Sequence, residues 1–398
     1  MSDTHVREIH TSTSLDGLQR FAFAAAGIGV VGLGAGFMMN AEAAAQSYLI
    51  GYIYWVGIAL GCLGLMMVHH LSGGAWGLMI RRPLEAAVST LPLLAVLFVP
   101  IVLGMGHIYE WSHAEEVAKD AILKMKEPYL RPSFFVVRAA LYFVIWCAMG
   151  LPLVMWSRQQ DKTPPAPGED QLKFRKISGP GLLIFGLTIT FASIDWVMSL
   201  DPHWYSTIFG LMFMVGSALT ALAFTIFVMS LLTKGTGMGD VVVMKNVHDW
   251  GKLLLAFTML WAYLSYSQFL IIYSANLPEE IPWYLRRFAN GWQYWSLFLA
   301  FGHFFLPFFL LLSRDRKRRL DRLVVVALWM LAARFVDVYW LIGPQFHADS
   351  MMPRLTDFAA LLGIGGIWLT YFIRQLKGQS LLPVNDPFLK EAIADGHH

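Results

Sequence analysis

Asp195, in the stretch FASIDWVMSLDPHWYSTIFG (191–210), stands near the end of a hydrophobic run that begins near Ile177. At about 1.5 Å per residue a helix carries it roughly 27 Å along that run. An ionisable group at such depth is costly unless it faces a partner or a water-lined cavity. Arg138, Arg334 and Asp337 share its outer layer, and the last two stand three apart, on one helix face. Asp195 is therefore expected to face Arg334 or Arg138. An inner layer holds His69, His70, Glu85, His248, Asp249 and Lys252, and His303 lies between the layers with the hydroxyls of Thr188, Thr190, Ser193, Ser265 and Ser267. Titratable groups and hydroxyls at hydrogen-bond or one-water intervals are what a proton path requires. The layers allow two half-paths that meet near His303, one through Glu85, Asp249 and Lys252 on the inner side and one through Arg138, Asp195, Arg334 and Asp337 on the outer side. The same residues also suit a structural role, with Arg334 and Asp337 setting helix registry and Glu85, after Arg81-Arg82-Pro83, acting as first-turn helix charge.

These groups need apolar helices to hold them. The chain of 398 residues is 57% hydrophobic and 14% charged, with mean hydropathy +0.53, outside the range of soluble domains. Runs of about 20 apolar residues, enough to cross a 30 Å hydrocarbon core, can be read about ten times. They lie near 18–39, 48–70, 83–106, 133–156, 177–198, 207–232, 247–273, 291–312, 320–344 and 352–377. The expected fold is all-α and polytopic. The first seventeen residues are polar, with no cleavable signal pattern. Lys and Arg number about 21 on the side of the termini and 7 on the other, so both termini are expected in the cytoplasm. The net charge of +3 reflects this bias and gives no sign of nucleic-acid binding; RDRKRR (314–319) reads as a topology anchor.

Asp195 and Asp337 align two stretches, DWVMSLDPHW and DVYWLIGPQF, and LPLVMWSR (151–158) echoes LPFFLLLSR (306–314). Each pair lies four spans apart, which suggests two four-helix bundles, spans 2–5 and 6–9, in the same orientation, with spans 1 and 10 flanking. The expected organisation is a tail at 1–17, a first helix at 18–39, bundles at 48–206 and 207–344, a tenth helix at 352–377 and a cytoplasmic tail at 378–398. Most loops are short; a long outer one includes a surface helix from Ala114 to Lys126, and the inner stretch 158–176 reads as a linker. The outer loops suggest a partner on that side. Cys62 and Cys147 both fall in apolar spans, and C-x-x-C-H, four-cysteine clusters and Walker A are absent from the sequence. His303 has no second histidine at its depth for a haem b. No metal site and no cofactor bound by this chain are expected.

With ASIDWVMSLDPHWYSTIFG, about ten spans, twin bundles and termini inside, the chain resembles the polysulfide-reductase-like (NrfD-like) membrane subunits. Within them it is most similar to the second such subunit, the ActF type, of alternative complex III, a quinol:cytochrome c oxidoreductase of respiratory or photosynthetic electron transport. The resemblance runs from about Leu18 to Lys377. It implies a bacterial inner-membrane location and several partners: a sister ten-span NrfD-like subunit, a periplasmic iron–sulfur protein, multihaem cytochromes c and other small membrane subunits. Haem c and iron–sulfur clusters would then sit in those partners, with quinol oxidised near the outer face. Asp195, Arg334 and Asp337 would form the quinone-side or proton-exit group, Glu85, Asp249 and Lys252 the intake, and His107 with Asp195 would supply the donor or base that a quinone headgroup wants at each carbonyl beneath an apolar tail channel. A secondary transporter with parallel bundle repeats and a purely structural membrane anchor are the alternatives.

Overall fold

A computed structural model describes residues 14–163, 169–377 and 379–394; most of the predicted first tail, the middle of the 158–176 linker and the last four residues lie outside them. The described residues form helices and connecting turns without a strand. Among the described residues, ten helices are long and apolar enough to cross a membrane: α1 (Leu15–Met39), α2 (Ala41–Ser72), α3 (Ala75–Leu103), α4 (Pro132–Lys162), α5 (Leu172–Leu200), α6 (Phe209–Lys234), α7 (Met244–Ala275), α8 (Trp292–Leu312), α9 (Leu320–Phe346) and α10 (Leu355–Lys377). The chain is an all-α, multi-pass membrane protein in contact with the lipid bilayer.

Helices α2, α3, α4 and α5 pack as a ring of neighbours, and α6, α7, α8 and α9 pack as a second. The rings meet mainly where α2 lies along α6, with α5 against α6 and α9 against α2. Helices α1 and α10 pair with each other and lean together on α2. Small residues make these approaches close, as membrane helix contacts require. A Cβ on Gly29 would fall 2.1 Å from the Gly363 backbone nitrogen. Gly57 and Gly61 present a small-residue face to Ser217 of α6, and a Cβ on Gly61 would fall 2.1 Å from the Ser217 carbonyl oxygen. Gly61→Ala is therefore expected to force α2 from α6 and destabilise the protein by about 1–3 kcal/mol, read as a lower melting temperature in detergent; an unchanged melting curve would show that the ring contact is loose.

Helices α3 and α8 are interrupted well inside the span. Helix α3 is built from Ala75–Val88, Leu91–Leu97 and Val99–Leu103, with Pro92 and Pro100 in the first turns of the second and third pieces. Proline suits a first turn because it lacks the N–H that would be left over there. Helix α8 contains a seven-residue π-helix, Leu299–Phe305, before Pro307 opens its last piece, Leu306–Leu312.

Three expectations need correction. Helix α3 starts eight residues before the predicted 83, because the charges of Arg81, Arg82 and Glu85 are mutually paired and so tolerated inside a helix. The surface helix predicted for Ala114 to Lys126 is two helices, Ala114–Lys119 and Ala121–Leu130. Asp120 breaks it, its Oδ1 accepting the Ile122 and Leu123 N–H groups as an N-cap. The tail predicted from 378 folds back: Leu381, Leu382 and Leu389 are buried, and Leu389–Ala394 packs on the first piece of α3.

Candidate functional site

Asp195 lies one residue before Trp196, where the regular α-helix of α5 gives way to a 3-10 turn, Met198–Leu200, and is wholly buried. Its partner is Arg138 on α4. Arg138 Nε donates to Oδ2 at 2.8 Å and Nη2 to Oδ1 at 3.0 Å, while the Tyr142 hydroxyl donates to Oδ2 at 2.8 Å. The third arginine nitrogen, Nη1, donates to the Tyr129 carbonyl at 2.7 Å, and the guanidinium lies over the Tyr129 ring. Both carboxylate oxygens are thus engaged. Arginine suits this because its planar fork meets a carboxylate at two points.

Asp337, the repeat counterpart, is held differently. Arg334 on the same helix donates Nη1 to Oδ2, and Trp261 of α7 donates its indole N–H to the same oxygen at 3.1 Å. Oδ1 accepts no hydrogen bond among the described residues. Arg334 reaches α6, donating Nε to the Thr220 hydroxyl at 3.2 Å. Gly216 makes room for it: a Cβ there would stand 2.3 Å from Arg334 Nη2. His303 is buried in the π-helical turn with its ring centroid 3.9 Å from that of Trp261, and neither ring nitrogen has a hydrogen-bond partner. The π turn also leaves the Gly302 carbonyl to accept the Trp329 indole N–H of α9 at 2.7 Å. Such turns interrupt α-helices mostly in short pieces, often at functional sites. The second ring therefore encloses an arginine, a carboxylate with one oxygen open, and an unpartnered imidazole, with Trp261 touching both acid and histidine.

The inner residues do not form one group. Glu85 is buried and accepts from Arg81 Nε at 2.9 Å and Arg82 Nη1 at 2.6 Å. Arg82 continues to Ser157 and Asp161, and Arg81 Nη1 donates to Asp386 Oδ2 at 2.7 Å. Asp249 and Lys252 pair with each other at 3.1 Å on a partly exposed surface, with no hydrogen bond or ion pair to Glu85. The hydroxyls between the layers are mostly turned to their own helices: Thr188, Thr190 and Ser193 donate to carbonyls three or four residues back. Ser265 Oγ is buried without a partner.

His107 is exposed, and its hydrogen bonds are backbone ones: its N–H donates to the Gly104 carbonyl at 2.9 Å and its carbonyl accepts from Gln46 Nε2 at 3.4 Å. No hydrogen bond joins it to Asp195, whose oxygens are already taken. These two residues do not converge on a common site for a quinone headgroup. Elsewhere on the outer rim His203 bonds Asp120 at 2.6 Å, and the His347 ring lies tilted against Trp292, centroids 5.6 Å apart. The Leu123 N–H and then His203 hold the Asp120 carboxyl below its ordinary range. A lowered carboxyl contributes its cap above the unfolded value of about 4 and loses it as pH falls through the folded value. Amide exchange at Ile122 and Leu123, corrected for intrinsic rate, is expected to quicken only below about pH 4; loss of protection near neutral pH would contradict this.

Several participants escaped the sequence reading. Asp386, Asp161 and Tyr142 carry no local pattern. Arg81 and Arg82 stand four and three residues before Glu85, the helix spacing of ion pairs. Arg287 is buried over the Trp283 ring and donates to the Trp340 and Leu341 carbonyls near the end of α9. No protein-family model matches this chain, and no curated protein matches it.

Proposed function

We propose that this multi-pass protein is an NrfD-like membrane subunit of a quinol:cytochrome c oxidoreductase of the alternative complex III kind, supplying scaffold and a proton-conducting path. The observation that carries the proton path is the buried group of the second ring: Asp337 with Oδ1 open, Arg334, Trp261, and His303 with both nitrogens open. A relay needs groups that change protonation without tearing out a saturated network. Asp337 and His303 meet that requirement, and both touch Trp261. The saturated Arg138–Asp195 pair suits the scaffold role.

In this reading both termini are cytoplasmic, the membrane is a bacterial inner membrane, and quinol is oxidised outside this chain's bundles. A sister ten-span subunit, a periplasmic iron–sulfur protein and multihaem cytochromes c provide the redox groups. Arg82, Glu85 and Asp161 form an inner anchor, and Asp249 with Lys252 an inner surface pair. Tagging the chain in its native membrane tests the assembly: haem-containing subunits and quinol:cytochrome c reductase activity should copurify with it. A secondary transporter is the second reading, favoured by the interruptions in α3 and α8. Purification without haem, together with solute uptake by the chain alone in liposomes, would establish that reading instead.

A further inference from the structure

Gly73 and Gly74 connect α2 to α3 with φ of 68° and 93°, a region in which a side chain would be strained. The turn leaves the first piece of α3 starting at Ala75 with no side-chain cap on its open N–H groups. Beside it is a cleft of about 310 Å³ lined by His69, His70, Arg81 and Arg175, with Phe388 and Glu391 of the folded-back C-terminal segment. His69 and His70 are each 5% exposed and Arg81 1%. Each has a polar atom without a partner: His69 Nδ1, His70 Nε2 and Arg81 Nη2.

We infer that this cleft binds a phosphate group, such as that of a phospholipid headgroup. The inference is independent of the proton-path reading. Arg81 already uses Nε on Glu85 and Nη1 on Asp386, so Nη2 remains to donate into the cleft. Of the two carboxylates at the wall, Asp386 is engaged by Arg81 and by the Phe388 N–H, while Glu391 is exposed at the rim. What is left over is arginine, imidazole and the open end of a helix, the donors that anions select. A metal ion needs acceptors, and no group of three or more metal-ligating residues occurs among the described residues. The apolar lining, Leu78 and Phe388, and the position at the inner ends of α2 and α5, beside Arg175, suit a lipid phosphate with its glycerol.

The test uses the full-length protein, delipidated in detergent, with three probes: phosphatidylglycerol, inorganic phosphate, and monoolein as a lipid lacking phosphate. Phosphatidylglycerol is expected to raise the melting temperature and to remain bound in native mass spectra. Arg175→Gln removes an exposed cation, and His70→Phe keeps the stacking on Phe174 while removing the ring nitrogens. Each is expected to weaken binding about tenfold. Saturation by inorganic phosphate with the same sensitivity to both variants would support the site and name free phosphate as its ligand. Equal shifts with monoolein, no shift with either phosphate probe, or wild-type affinity in both variants would overturn the inference.

Discussion

Asp195→Ala is expected to destabilise the protein by about 3–5 kcal/mol, the cost of leaving a buried partner charge uncompensated. Arg138 would keep only the Tyr129 carbonyl, and the Tyr142 hydroxyl would lose its acceptor. The double variant Asp195→Leu with Arg138→Met removes both charges and is expected to be more stable than the single one, since apolar replacement of a whole buried pair is often neutral or better. Unfolding of the three proteins in detergent gives the comparison. If the single and double variants were equally damaged, packing volume and not charge pairing would account for the loss. Asp195→Asn should also leave the turnover of whatever complex does assemble unchanged, because the pair is assigned to scaffold.

The largest functional effect is expected at Asp337 and His303. Asp337→Asn keeps shape and an acceptor oxygen for Trp261, yet cannot exchange a proton. His303→Phe keeps a ring against Trp261 without nitrogens. Groups that take part in proton transfer contribute about 10²–10⁴-fold, so each variant should lower proton release on the order of 100-fold in assembled complex. Arg334→Lys serves as the control for registry: it retains charge but loses the reach to Thr220, and should reduce stability more than proton release. Equal losses in assembly and in proton release for all three variants would instead assign the group to structure.

Much of this architecture was legible because hydrocarbon imposes a simple rule on sequence: about 20 apolar residues per crossing. The ten spans and the all-helical class follow from that rule. Asp195 facing Arg138 was one of two stated alternatives, since depth alone could not choose between arginines on different helices. The Asp195–Asp337 repeat drew attention to both acids, but their surroundings differ: one is gripped from α4, the other from its own helix and α7. Side-chain partners of that kind depend on helix rotation, which a repeat of few identities does not specify. Glu85, Asp249 and Lys252 were grouped by depth; the structure separates them because depth says nothing of position around a ring. Asp386 was unreadable for a different reason: a polar segment after the last span gives no sign that it will fold back onto α3. His303 falls near the middle of α8, and its π turn leaves no mark in the sequence beyond Pro307.

One measurement bears most directly on the proton path: proton release accompanying quinol:cytochrome c turnover by the purified Asp337→Asn complex in liposomes, normalised to haem content. The account expects full assembly with proton release reduced on the order of 100-fold, beside an Asp195→Asn complex that releases protons normally once assembled. Normal proton release from a fully assembled Asp337→Asn complex would contradict it.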